Sequence, residues 1–318
     1  MISKDTNHTT KPLVDFHHHM VPPDFLTALE KAGLAADRLP SWSPEDSLRM
    51  MDGLGIEKAI LSLTPPGVWL GDRIEARRLS RACNRYGASL TRESSGRFGA
   101  LAALPFPDVV AATEELVYAL DGLHLDGVML LSNVVGKYVG DPEYDSLMKE
   151  LDDRGALVLL HPNVVPQADE NAPLYGWTEY PIDVARAYAR LVHNDTLVRF
   201  PQIRWVLAHA GGVVPFLADR IGRAHYANGH KLRWGRIIKD MTAKRNGGLE
   251  LAKGLSYDTV GAANSAALAA LRRLIEPQQL CFGSNFPWDS EEVIEESLGF
   301  MKRSFPYRAE LHEERNKR

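Results

Sequence analysis

Short apolar runs alternate with longer amphipathic stretches through nearly the whole chain, regularly enough to be counted. Continuous apolar runs, the pattern of strands buried on both faces, fall at Leu13–His17, Lys58–Leu63, Arg97–Leu104, Gly127–Ser132, Ala156–His161, Ile203–His209, Leu255–Thr259 and Leu280–Ser284. Helix-period patterns predict helices at about 45–54, 72–92, 107–122, 142–154, 181–199, 213–227, 264–276 and 288–303. Caps and breakers support several starts: Ser43-Pro44-Glu45, Pro107-Asp108, Asp141-Pro142, and Pro287 before Trp288. Eight strand-then-helix units give an α/β fold, a (β/α)8 TIM barrel with small insertions. One insertion, Met20–Ser41, holds a short helical pattern at Pro23–Ala32; the other, the basic and polar His230–Lys253, reads as an additional helix or a subunit contact. No linker rich in Pro, Gly or Ser divides the chain, so the expectation is a flexible lead-in at 1–12 and a single domain at 13–318.

Composition narrows the class without changing the fold. The chain has 318 residues, 45% hydrophobic and 25% charged, which suits one large barrel. A formal net charge of −4 with no long basic run argues against nucleic acid and against a membrane surface as partner. No apolar stretch reaches the roughly 18–20 residues that span a bilayer. Residues 1–11 are polar and lack an apolar signal core. Cys83 and Cys281, the only cysteines, both lie in apolar surroundings. They read as a reduced pair, consistent with a cytoplasmic protein.

The chemistry collects at the strand ends. Along an extended strand His17 and His19 project to one face, roughly 7 Å apart, and His18 to the other. Two imidazoles so placed suit a shared divalent ion. The fifth run ends in His161-Pro162-Asn163, the sixth in His209-Ala210-Gly211-Gly212, and the eighth in Ser284-Asn285-Phe286-Pro287-Trp288. In a barrel of parallel strands these C-terminal ends open onto one mouth. His8, His124, His193, His225, His230 and His312 fall outside this pattern and read as surface or helix-face residues. No glycine-rich nucleotide loop and no GxSxG elbow is present, so the chemistry falls to a metal with acid–base groups and no organic cofactor. Around the mouth, Phe286 and Trp288, with Trp69, Tyr138 and Trp177 in loops, are candidates for an aromatic lining. Thr64, Ser132 and Asn133 follow strand ends and are candidate hydrogen-bonding groups for a substrate; Arg49 is a candidate partner for a carboxylate.

Taken in order, D-x-H-x-H, a strand-end H-P, a strand-end H-x-G-G and a terminal G-S-[D/N]-[FY]-P resemble the amidohydrolase-related family from about Val14 to Trp288. The branch they most resemble contains the α-amino-β-carboxymuconate-semialdehyde, γ-resorcylate and 6-methylsalicylate decarboxylases. The resemblance implies that His17, His19 and His161 bind one zinc or manganese ion per subunit. It implies that His209 is the active-site histidine beside that ion, that the substrate is an aromatic carboxylate of ortho-hydroxybenzoate type, and that the chain forms a homodimer or larger homo-oligomer. At position 285 the family usually has an aspartate that binds the metal and takes part in proton transfer, whereas this chain has Asn285. An amide oxygen still coordinates a cation but carries no charge and delivers no acidic proton. The departure implies a disabled version, engineered or natural. Asp289 is near enough in sequence to be weighed as a substitute, but Pro287 predicts that it already lies in the following helix. A metal-dependent lactone or amide hydrolase on the same scaffold, and a non-catalytic barrel that binds small acids, remain open alternatives.

Overall fold

The computed structural model describes residues 12–34, 39–165, 174–227 and 247–304. Its main sheet is parallel and contains seven strands: β1 (Val14–Met20), β2 (Lys58–Leu63), β3 (Phe98–Ala102), β4 (Gly127–Leu131), β7 (Leu157–His161), β8 (Arg204–Leu207) and β9 (Ser256–Tyr257), hydrogen-bonded in that order. A two-stranded antiparallel ribbon, β5 (Asn133–Val134) with β6 (Lys137–Tyr138), follows β4. The crossovers carry α1 (Pro23–Lys31), α2 (Pro44–Leu54), α3 (Arg73–Glu93), α4 (Val109–Val117), α5 (Asp145–Asp153), α6 (Tyr175–His193) and α7 (Thr196–Arg199). The last third adds α8 (Val214–Ala227), α9 (Gly247–Lys253), α10 (Ser265–Leu274) and α11 (Glu291–Ser304).

Alternate strand residues separate into two buried layers, as sheets covered on both faces require. Ile60, Leu101, Met129, Leu157, Leu159 and Val206 belong to one cluster, and the intervening Ala59, Leu61, Ala100, Val128, Leu130, Val158, Leu160 and Leu207 to another that packs on helices. Helix starts are fixed by side-chain caps: Ser43 accepts from the Asp46 amide, Asp72 from Glu75, Asp108 from Ala111 and Asn264 from Ala267.

Several elements differ from the sequence reading. The eighth run, Leu280–Ser284, is not a strand of the sheet. It makes isolated parallel bridges to both flanking strands, Tyr257 with Leu280 and Asp15 with Phe282. The first strand runs three residues further than expected, to Met20, and its register against β2 shifts between Asp15 and His18, an irregularity of the bulge kind. The helix expected from residue 181 begins at Tyr175 and carries Pro181 inside it. Pro181 reads as a first-turn residue, yet the helix extends past it toward its N-terminus, where a proline lacking its amide hydrogen ordinarily ends one. The stretch expected as one helix at 107–122 is α4 followed by a wider π-type turn at Tyr118–Gly122. Residues 1–11 of the expected lead-in and 230–246 of the second insertion lie outside the described residues; 247–253 form α9. Cys83 and Cys281 are buried free thiols, with burial pushing Cys83 up to about 12. Among the described residues no helix is long and apolar enough to cross a membrane.

The H-x-G-G turn is where sequence identity fixes tertiary packing. The Val213 amide donates to the Pro181 carbonyl of α6 at 3.3 Å. A Cβ on Gly212 would stand 1.9 Å from that carbonyl oxygen, and Gly212 holds φ +56° with ψ −120°, a conformation open chiefly to glycine. Replacing Gly212 by alanine should therefore cost about 3 kcal/mol or more of unfolding free energy, read by chemical denaturation. A loss below about 0.5 kcal/mol would mean that α6 does not depend on this close approach.

Candidate metal centre

Four imidazoles converge at the C-terminal ends of β1, β7 and β8. Ring centroids lie 4.9 Å apart for His17 and His19, 4.9 Å for His17 and His161, and 5.0 Å for His19 and His161. His209 completes the group at 5.3 Å from His17 and 5.6 Å from His161. His161 continues the alternation of Leu157 and Leu159, which puts it on their face of the sheet. His209 follows β8 in a tight turn with φ +52°, and Ala210 after it has φ +56°. Two consecutive non-glycine residues in the left-handed region mark backbone that the surroundings hold in place.

Hydrogen bonds to obligate acceptors fix which nitrogen of His17 and His161 is protonated. His17 Nδ1 donates to Asp258 Oδ2 at 2.5 Å and His161 Nδ1 to the Pro162 carbonyl at 2.7 Å. His19 Nδ1 lies 3.3 Å from Ser62 Oγ. His17 and His161 then present a bare Nε2. The Nε2 atoms of His17 and His19 face each other at 3.0 Å, and those of His161 and His209 are buried with no partner among the described residues. A buried ring nitrogen that accepts from no donor, as at His161, is unfavourable unless a cation lies beside it. The ligand atoms of His17, His19 and His161 lie within 4.8 Å of one another, so this donor set fits one divalent ion.

Electrostatics agrees with the tautomers. Burial, followed by the neighbouring His17, holds His19 and His161 well below the ordinary imidazole value and lowers His209 to about 4. All three stay uncharged well into the acid range, which is the state that binds a metal.

His18 points the other way. Its Nδ1 donates to Asp15 Oδ2 at 3.0 Å, and its Nε2 accepts from Ser47 Oγ at 2.9 Å. Asp15 also accepts the backbone amides of His17 and Ser284, which ties the first strand to the final segment. A Cβ on Gly283 would lie 2.8 Å from His17 Cβ, so only glycine lets that segment pass so close. Asn285 follows with φ +59°, its amide nitrogen bonded to the His17 carbonyl at 2.8 Å.

Asp289 is not helical as expected. α11 begins at Glu291, and Asp289 sits in the preceding turn, where its Oδ1 accepts from Asn285 Nδ2 at 3.0 Å. With Nδ2 so engaged, the Asn285 amide oxygen is left as its free coordinating atom. Burial raises the Asp289 carboxyl above its ordinary value, against the opposing pull of the Asn285 hydrogen bond.

The remaining candidates divide. Trp288 Nε1 donates to the buried Thr64 Oγ1 at 2.9 Å, bridging the final segment to the end of β2. Phe286 lies 5.1 Å from the His18 ring, on the side away from the imidazole cluster. Asn133, Ser132 and Tyr138 gather on the buried carboxylate of Asp183, Tyr138 OH at 2.6 Å and Asn133 Nδ2 at 3.3 Å. Trp177 is largely exposed on the first turn of α6, and Arg49 pairs with Asp46 on the exposed face of α2. Neither has a described contact with the imidazoles.

Two residues escaped the sequence reading. Asp183 draws in the Asn163 amide as well, joining the ends of β4 and β7 to α6. Asp258 sits inside the seventh run, fully buried, and accepts from Ala210 and Val260 amides besides His17. A carboxylate inside a short apolar run was the available signal for Asp258, since such a charge requires a partner.

A family model described as amidohydrolase matches residues 14–314. The chain is 31% identical over 310 residues to decarboxylase macB of Penicillium terrestre, covering 92% of this chain and 89% of the relative. It is 32% identical over 304 residues to 6-methylsalicylic acid decarboxylase acuB of Aspergillus aculeatus, covering 88% and 86%. Dihydroxybenzoic acid decarboxylase of Polaromonas sp. JS666, solved with manganese and the inhibitor 2-nitroresorcinol, has the same fold, with a TM-score of 0.72 at 21% identity over 91% of this chain and 90% of that one.

Asp258 is the carboxylate that holds the His17 tautomer. Asp258→Asn should lower affinity for manganese or zinc about 10–100-fold by calorimetric titration. Unchanged affinity in a folded variant would remove Asp258 from the metal centre.

Proposed function

Because the chain belongs to the amidohydrolase family, we propose that it is built as a metal-dependent, non-oxidative decarboxylase of an aromatic acid of ortho-hydroxybenzoate type. The observation that carries this reading is the convergence of His17, His19, His161 and His209, the first three fully buried, with the Nε2 atoms of His161 and His209 buried and without a partner among the described residues. His17, His19 and His161 would hold one manganese or zinc ion, with the Asn285 amide oxygen as a further neutral ligand. The ion supplies positive charge against which an anionic aromatic acid is oriented and stabilised. In this reading the sheet closes as a (β/α)8 barrel through the bridges at Leu280 and Phe282. The chain acts as a cytoplasmic homodimer or larger homo-oligomer.

Decarboxylation requires a proton to be delivered to the ring carbon that bears the carboxylate. The bond to the carboxyl carbon then breaks, its electron pair restores the aromatic ring, and CO2 leaves. His209 is uncharged at neutral pH, and its Nε2, unpartnered among the described residues, is available to hydrogen-bond the substrate's phenolic oxygen. The group that should deliver the proton is a carboxylic acid at position 285. Asn285 keeps the site of attachment and the coordinating oxygen but not the acid. The chain accordingly binds its substrate with turnover suppressed.

Restoring the acid tests the assignment. Asn285→Asp with manganese or zinc added should release CO2 from a salicylate-type acid at least about 10²-fold faster than the unaltered chain. No CO2 from any ortho-hydroxybenzoic acid with the metal-loaded variant would overturn the decarboxylase reading.

A further inference from the structure

The turn after the eighth run holds a side-chain pair that the chemistry above leaves unused. Asp289 Oδ1 accepts from Asn285 Nδ2 at 3.0 Å, four residues along the chain. Among the described residues this is the one hydrogen bond of the Asn285 side chain, and no Lys or Arg forms an ion pair with Asp289. The backbone between the two is held firmly. The Trp288 and Asp289 amides both donate to the Asn285 carbonyl, at 2.8 and 3.3 Å, and the Asn285 amide donates to the His17 carbonyl at 2.8 Å. Trp288 Nε1 anchors the turn to the buried Thr64. With the backbone so fixed, the choice left to Asn285 is which end of its amide faces which neighbour. A half-turn of the terminal torsion exchanges oxygen for nitrogen with almost no change in shape. A helix-capping role does not require Asp289, because α11 already carries Glu291 and Glu292 in its first turn, where an acid meets the helix dipole.

We propose that Asp289 is a positioning residue for the metal centre: it selects the amide orientation in which the Asn285 oxygen, and not its NH2 group, is presented to the ion. The proposal rests on the reading of Asn285 as a ligand given above. An amide has one end that coordinates a cation and one that only donates hydrogen bonds. A carboxylate at 285 would present an oxygen whichever way it turned, and so would need no partner to orient it. An asparagine does need one. Asp289 accepts and keeps the NH2 group on its own side, which leaves the oxygen for the ion. The same hydrogen bond polarises the amide and strengthens its oxygen as a ligand. Asn285 and Asp289 therefore act as a unit, with the negative charge set one hydrogen bond behind the coordinating atom.

The test is a double-mutant cycle read by calorimetric titration of the metal-free protein with manganese, which needs no turnover. Asp289→Ala should weaken binding about tenfold in the chain with Asn285. In the Asn285→Ala background, where no amide is left to orient, the same change should cost less than about twofold. Asp289→Asn still offers an acceptor oxygen, so it should hold the affinity within about threefold and bind more tightly than Asp289→Ala. Asp289→Leu, close to aspartate in shape, repeats the cycle should the alanine variant fail to fold. An equal loss from Asp289→Ala with and without Asn285 overturns the assignment, since a role in charge or in folding would carry across both backgrounds. So does an unchanged affinity in the Asn285→Ala chain, which removes Asn285 from the ion; both results leave the histidine centre standing. An unaltered chain that takes up no manganese overturns the metal-dependent reading and this inference with it.

Discussion

The structure turns on imidazole nitrogens from three strand ends that converge on one point. His17 and His19 bring Nε2 atoms to 3.0 Å, and His161 and His209 add two more that no described residue satisfies. Buried acceptors of this kind are costly, and the cost disappears when a divalent ion occupies the centre. Much of the surrounding architecture holds the rings in that arrangement. Asp258, Ser62 and the Pro162 carbonyl each take a ring's other nitrogen. Removing charge from the histidines by burial serves the same end, since a protonated imidazole cannot ligate.

Around that centre the fold joins elements distant in sequence. Asp258 connects β1 to the turn after β8, accepting from His17 and from the Ala210 amide. Asp15 connects β1 to the final segment through Ser284 and, through His18 and Ser47, to α2. Asp183 does the same for β4, β7 and α6. Three fully buried carboxylates, each accepting several hydrogen bonds, thus set the geometry of a site whose own position 285 is neutral. Each is satisfied by amide, hydroxyl, phenol or imidazole donors, the condition under which a buried charge is tolerated.

The sequence was most legible where one residue's role depends on its own strand. Continuous apolar runs marked seven strands to within a few residues, because burial on both faces leaves little room for polar side chains. The histidines ending those runs stood out for the same reason. Contacts between distant segments were not legible. Asp258 is 241 residues from the histidine it orients, and no local pattern announces that pairing. Asp289 was assigned to a helix because Pro287 resembles a first-turn proline, whereas the chain continues through a turn and starts α11 only at Glu291. Pro181 misled in the same way, since the helix starts six residues earlier, at Tyr175. The eighth run, apolar but crowded between two strands, forms single bridges where the pattern promised a full strand. Arg49 satisfied a chemical expectation and no geometric one: it lies on an exposed helix face, paired to Asp46.

The central claim is that His17, His19 and His161 share one cation. An anomalous-scattering map recorded at the manganese or zinc edge, on crystals grown without chelator and with that metal supplied, tests it most directly. The account requires a single peak within about 2.0–2.3 Å of the Nε2 atoms of His17, His19 and His161. A map with no peak among the three rings, at full metal loading of the solution, would contradict it.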